Sequence, residues 1–236
     1  SIPAIMTQLS SIVMQYVDAS MVGSLGANAS ASIGLVSTTT WVFWGLCAAA
    51  ATGFSVQVAH LIGAGNFAGA RKILRQSITA TLLFGSSLAA IGVFISDSLP
   101  GWLGGDEIIR KDSSVYFLIF SLFLPVLQMN FLASGMLRCS GNMYIPSILN
   151  ILMCLLDIIF NFFLIFPKRQ IEIMGLNIDI YGAGLGVKGA SLRTVLAELV
   201  TAGGMMWYLC YRSPILKLSG ERGHFLLRQD TLRNAV

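Results

Sequence analysis

The sequence predicts an all-α, polytopic membrane protein with six transmembrane helices, and three observations carry that prediction. Of the 236 residues, 55% are hydrophobic and only 11% are charged, whereas soluble domains carry about 25% charged residues. The apolar residues gather into six runs long enough to cross a bilayer core about 30 Å thick. The basic residues collect in the connections between those runs, as orientation signals do. The sequence pI near 9.0 therefore reflects membrane topology rather than a nucleic-acid surface, because no basic patch is interleaved with aromatics.

The first span, Pro3 to Gly23, carries no Lys, Arg or Glu and has one carboxylate, Asp18. A helix of this length is roughly 30 Å long, and Asp18 lies about 22 Å past Pro3. A carboxylate inside the bilayer costs at least about 2.5 kcal/mol, so Asp18 is expected to face protein or water. A span set one turn differently would instead leave it capping the helix at the interface. The small-residue turn from Gly23 to Ser30 follows.

The second span runs from about Ile33 to Ile62 and includes Trp41, Trp44 and a group of small residues that lets neighbouring backbones approach. Gln57 and His60 share a face near its end, and both a buried hydrogen-bonded role and a secondary part in proton transfer are open to them. After the Gly63–Asn66 break, the third span covers about Ile78 to Ile95. A polar connection is expected from Asp97 to Ser114. The fourth span, about Val115 to Leu137, contains Pro125, which is expected to kink it by freeing a backbone carbonyl.

The fifth span, about Ile145 to Phe166, places Asp157 and Asn161 four residues apart and so on one helical face. A longer connection, Pro167 to Gly182, leads to the sixth span, about Ala183 to Cys210, which carries Lys188, Arg193, Thr194 and Glu198. Lys188 can snorkel outward. Arg193 could pair with a carboxylate or face lipid, and Glu198 could join a cavity or neutralise Arg193. Cys47, Cys139, Cys154 and Cys210 form no CxxC or Cys/His set, and they read as small core or lipid-facing residues.

With a cytoplasmic N-terminus, nine Lys and Arg fall in inside segments and four in outside ones. That bias favours both ends being cytoplasmic. In this topology Asp18, Asp157, Asn161 and Thr194 lie in one layer of the outer half. Ala190, Thr194 and Glu198 share one face of the sixth helix. Two aspartates with an amide and a hydroxyl in a low-dielectric pocket suit a proton or a sodium ion. The alternative for Asn161 and Thr194 alone is interhelical hydrogen bonding, worth about 0.6 kcal/mol per contact.

Four stretches carry a family resemblance: Tyr16 to Gly26, Gly53 to Gly65, Leu137 to Asn142 followed by Pro146, and Gly186 to Thr194. In order and spacing they resemble the first half of a multidrug and toxic compound extrusion (MATE) transporter. The resemblance implies cation-coupled export of organic compounds, cationic ones above all, by twelve helices in two six-helix lobes. Residues 1–212 would form one lobe, and 213–236 a cytoplasmic linker towards a second lobe outside this sequence. Residues are also expected to precede the abrupt start. The implied cation-coupling residues are Asp18, Asp157, Asn161, Ala190 and Thr194. For sodium coupling, Asp18, Asp157, Asn161 and Thr194 would hold the ion, and no other cofactor is implied.

The carboxylate precedes the amide in the fifth helix here, whereas some members have the reverse. His60 stands where many members have glutamine, and Arg193 where a small residue is usual. The implied location is the cell membrane. A lipid-linked saccharide flippase of the same superfamily is the alternative. No HExxH, GxSxG elbow or paired His points to an enzyme.

Overall fold

A computed structural model describes residues 2–165, 167–173 and 176–218. Helices dominate: α1 (Ile2–Gly23), α2 (Ala27–Gly63), α3 (Phe67–Ile95), α4 (Leu99–Trp102), α5 (Glu107–Leu122), α6 (Leu124–Cys139), α7 (Tyr144–Leu164) and α8 (Gly186–Trp207). A five-residue π-helical turn, Tyr208–Arg212, continues α8. The protein is an all-α, multi-pass membrane chain. By length and apolar composition, α2, α3 and α7 each suffice to cross a membrane, and α5 with α6 makes a fourth span bent by 47°. Helices α1 and α8 do not reach that level of apolarity. They are the two that carry Asp18, and Lys188, Arg193 and Glu198.

The breaks between helices follow from local chemistry. Gly26 and Gly65 adopt φ of +106° and +73°, a region open to glycine at little cost, and each ends a turn between long helices. Asn66 then caps α3, its Oδ1 accepting a hydrogen bond from the Gly69 amide at 2.9 Å. Asn142 accepts from the Ile145 amide at 3.1 Å and donates to the Tyr208 hydroxyl at 3.1 Å, so one side chain starts α7 and ties it to the end of α8. Pro125 stands in the first turn of α6, where its missing N–H costs nothing, and the chain bends just before it at Phe123.

Helix α7 is polar inside and apolar outside. Ile148, Leu152, Leu155, Ile159 and Phe163 form an exposed stripe at helical spacing, while Cys154, Asp157 and Asn161 are buried. This is the pattern expected of a helix whose outer face meets lipid. Small residues let helices approach closely. A Cβ on Gly189 of α8 would lie 2.6 Å from the Leu164 carbonyl oxygen of α7, and one on Gly92 or Gly135 would collide with Ser121 or Ser55. Two buried apolar clusters fill the rest. One is centred on Phe54, Leu74, Leu132 and Met205, and the other on Val36, Phe43, Phe117 and Leu124. Helix α1 stands apart: none of its described side chains is buried, and it docks chiefly on α7.

Two expectations need correction. The connection after α7 is an antiparallel hairpin, β1 (Pro167–Ile173) and β2 (Leu176–Ala183), with Ile171 opposite Ile178. The stretch Asp97 to Ser114 is largely helical: α4 fills part of it, and α5 begins at Glu107 because an acidic residue suits a helix N-terminus. Residues 213–218, the first of the expected linker, pack on the lobe. Leu216 is fully buried, its amide bonds to Ser213 Oγ at 3.2 Å, and Arg71 Nη1 donates to the Ile215 carbonyl at 3.2 Å. The remainder of the expected linker lies outside the described residues.

Candidate functional site: two aspartates on one guanidinium

Helices α1, α7 and α8 meet where Asp18, Asp157 and Arg193 meet. Arg193 Nη1 donates to Asp18 Oδ1 at 2.7 Å and also to Asp157 Oδ2. Asn161 Nδ2 donates to the same Asp18 oxygen at 3.0 Å. The i, i+4 spacing of Asp157 and Asn161 puts both on the buried face of α7, and each is fully inaccessible. Arg193 is buried as well, while the Asp18 side chain keeps 21% exposure. Thr194, the next residue of α8, adjoins Asp157. Ala190, one turn earlier, is enclosed and presents only a methyl group.

Two carboxylates and one guanidinium leave the cluster one negative charge in excess. Three of its buried polar atoms have no hydrogen-bond partner: Asp157 Oδ1, Asn161 Oδ1 and Arg193 Nε. Buried acceptors without a donor are costly, and in a native protein they call for an explanation. Here two of the three are oxygens beside an excess of acid over base.

Beside the cluster lies a cavity of about 360 Å³. Its walls include Gln15 of α1, Trp41 and Trp44 of α2, Tyr116, Phe120 and Phe123 of the α5–α6 bend, and Thr194 and Glu198 of α8. Trp44 packs edge-on against Phe131 at 4.9 Å between ring centroids, and Trp41 against Trp44 at 5.6 Å. Glu198 is the one carboxylate among the lining residues, and no counterion is paired with it among the described residues. Helix α8 therefore offers Arg193 to the α1–α7 seam and Thr194 and Glu198 to the cavity.

Gln57 and His60 do not join this site. They lie in the last two turns of α2, roughly 45 and 50 Å along the helix from Ala27, whereas Asp18 lies just before that start. His60 is exposed. Their shared face is real, but it is at the far end of a helix longer than a bilayer is thick.

The sequence left the partner of Arg193 undecided, and the aromatic cavity wall was not anticipated. The first could have been read from depth. A guanidinium about seven residues into α8 must find an acid, and Asp18 and Asp157 are the two at that level. The second was only half legible: Trp41 and Trp44 are three apart and Tyr116, Phe120 and Phe123 are four and three apart, so each set shares a helix face, but no local pattern says that the two faces meet.

A family model described as MatE matches residues 3–163. The chain is 26% identical over 216 residues to the probable multidrug resistance protein NorM of Thermotoga maritima, a match covering 90% of this chain and 43% of that protein. It is 24% identical over 178 residues to an FAD transporter of Shewanella oneidensis, covering 74% of this chain and 39% of the other. An outward-facing multidrug resistance MATE transporter of the MOP superfamily superposes with a TM-score of 0.85 at 22% identity, over 99% of this chain and 48% of that one. The chain thus spans about half the length, or less, of the proteins it matches. Its fold, its apolar helices and the length of the family match lead to one assignment: the chain belongs to the MatE family of membrane transporters.

Proposed function

We propose that this chain is one lobe of a cation-coupled antiporter that exports organic, drug-like compounds across the cell membrane, with its N-terminus on the cytoplasmic side. It carries transport rather than catalysis. The observation that supports this best is the meeting of Asp18 and Asp157, from separate spans, at one guanidinium with an excess negative charge. None of the described side chains of α1 is buried, so the polar contacts of Asp18 add to its packing on α7 in orienting it. A cation that neutralises an acid of this cluster weakens those contacts. Helix α1 then repacks, and the cavity it helps to line changes shape. Coupling follows only if cation and substrate favour different arrangements of α1.

The cavity walls suit an organic cation. Indole and phenyl faces attract positive charge, and Glu198 places a carboxyl group at the same surface that a bound cation would hold ionised. A second lobe would complete the path. The test is gradient-driven efflux of a fluorescent organic cation from proteoliposomes holding the full-length protein. Efflux that is lost in Asp18→Asn supports the reading, and gradient-dependent efflux at the parent rate in that variant refutes it.

A further inference from the structure

We infer that Arg193 is a resident cation: its guanidinium takes the place between Asp18 and Asp157 that a metal ion would need, so the site does not accept sodium while Arg193 is present. The inference deepens the antiporter reading and rests on it only for the identity of the site. A hard cation gathers a shell of oxygens around itself. The oxygens that face one another here are already turned to N–H donors. Asp18 Oδ1 accepts from both Arg193 Nη1 and Asn161 Nδ2, and Asp157 Oδ2 accepts from the same Nη1. Asn161 turns its amide nitrogen, not its oxygen, towards Asp18.

Of the buried oxygens in the cluster, Asp157 Oδ1 and Asn161 Oδ1 remain without hydrogen-bond partners, and neither lies between the two acids where Arg193 Nη1 sits. The guanidinium is also permanently charged. A unit charge about 6 Å from an inserted ion weakens its binding about 100-fold at an effective dielectric of about 20. The four residues expected to hold sodium are thus assembled, but around a side chain that already does the ion's electrostatic work. Thr194, the fourth of them, contacts the cluster from the cavity side.

The test is sodium binding to the purified full-length protein, read by calorimetry and by the sodium-over-potassium shift in unfolding temperature. The parent is expected to give neither signal. Arg193→Gln, which removes the charge and keeps a polar head, is expected to gain sodium affinity by about 100-fold. Arg193→Lys keeps the charge and should remain blind to sodium. Sodium binding by the parent that disappears in Asp18→Asn would overturn the inference, as would a folded Arg193→Gln that binds none. Should Arg193→Gln fail to fold, sodium binding by the parent or by Arg193→Lys would still overturn the inference, and Arg193→Gln paired with Asp157→Asn, which leaves no buried charge stranded, replaces it as the variant expected to gain affinity. Efflux is measured separately. A parent protein whose flux ignores every cation gradient refutes the antiporter reading and leaves the binding result standing.

Discussion

Removing the charge of Arg193 should destabilise the protein far more than removing that of Asp18. The reason lies in what each substitution strands. Arg193→Met leaves Asp157 fully enclosed with no counterion, and breaking a buried ion pair in this way costs about 3–5 kcal/mol. Asp18→Asn leaves Arg193 still paired with Asp157, and Asp18 is partly exposed. Its loss should therefore fall near the value for a surface pair, about 1 kcal/mol. At about 2–4 °C per kcal/mol for a chain of this length, the two variants should lose roughly 10 °C and about 3 °C of thermal stability. The decisive variant is the double one, Arg193→Met with Asp157→Leu, which removes the stranded charge as well. It should recover most of the loss, giving a coupling of about 2–3 kcal/mol in a double-mutant cycle. The assay is thermal unfolding in detergent, followed by tryptophan fluorescence or by a thiol-reactive dye at the cysteines. Single and double variants whose effects simply add would refute the buried pairing.

Other outcomes follow from individual contacts. Gly189→Val should drive α8 away from the Leu164 carbonyl and cost about 1–3 kcal/mol, seen as a lowered unfolding temperature, whereas Gly203→Ala, with open space at its Cβ position, should be close to neutral. Glu198→Gln should weaken binding of an organic monocation by about tenfold while leaving a neutral aromatic analogue unaffected, measured by fluorescence quenching of Trp41 and Trp44. Asn142→Ala removes the hydrogen bonds to the Ile145 amide and the Tyr208 hydroxyl, and should cost about 1–2 kcal/mol in the same unfolding assay.

The spans and the acidic layer were legible because the bilayer imposes simple rules. Length and apolarity mark a helix, and a carboxylate inside one must face something polar. Asp18, Asp157 and Asn161 could be placed at one depth by counting residues from each helix start. The same counting reaches Arg193 and the two acids at its depth, but not the cavity face that Thr194, the next residue of α8, lines. Gln57 and His60 show the converse. Their i, i+3 spacing gave a shared face, but spacing carries no information on which end of a 37-residue helix meets the site. The hairpin was overlooked although its signal is present. Gln170-Ile171-Glu172-Ile173 and Leu176-Asn177-Ile178-Asp179-Ile180 alternate polar and apolar residues with the two-residue period of a strand. The bend at Pro125 was expected from its type. The bend is 47°, and Gly85 of α3 lets the Pro125 backbone come close; no local pattern records that approach.

The central claim is that acids on two helices are held by one guanidinium and so fix α1 against α7. Spin labels at Tyr16 and Leu155, both exposed, report that docking directly as a distance distribution in the full-length protein. A single narrow distribution that broadens or shifts in Asp18→Asn is the predicted result, and a distribution unchanged by that substitution would contradict the account.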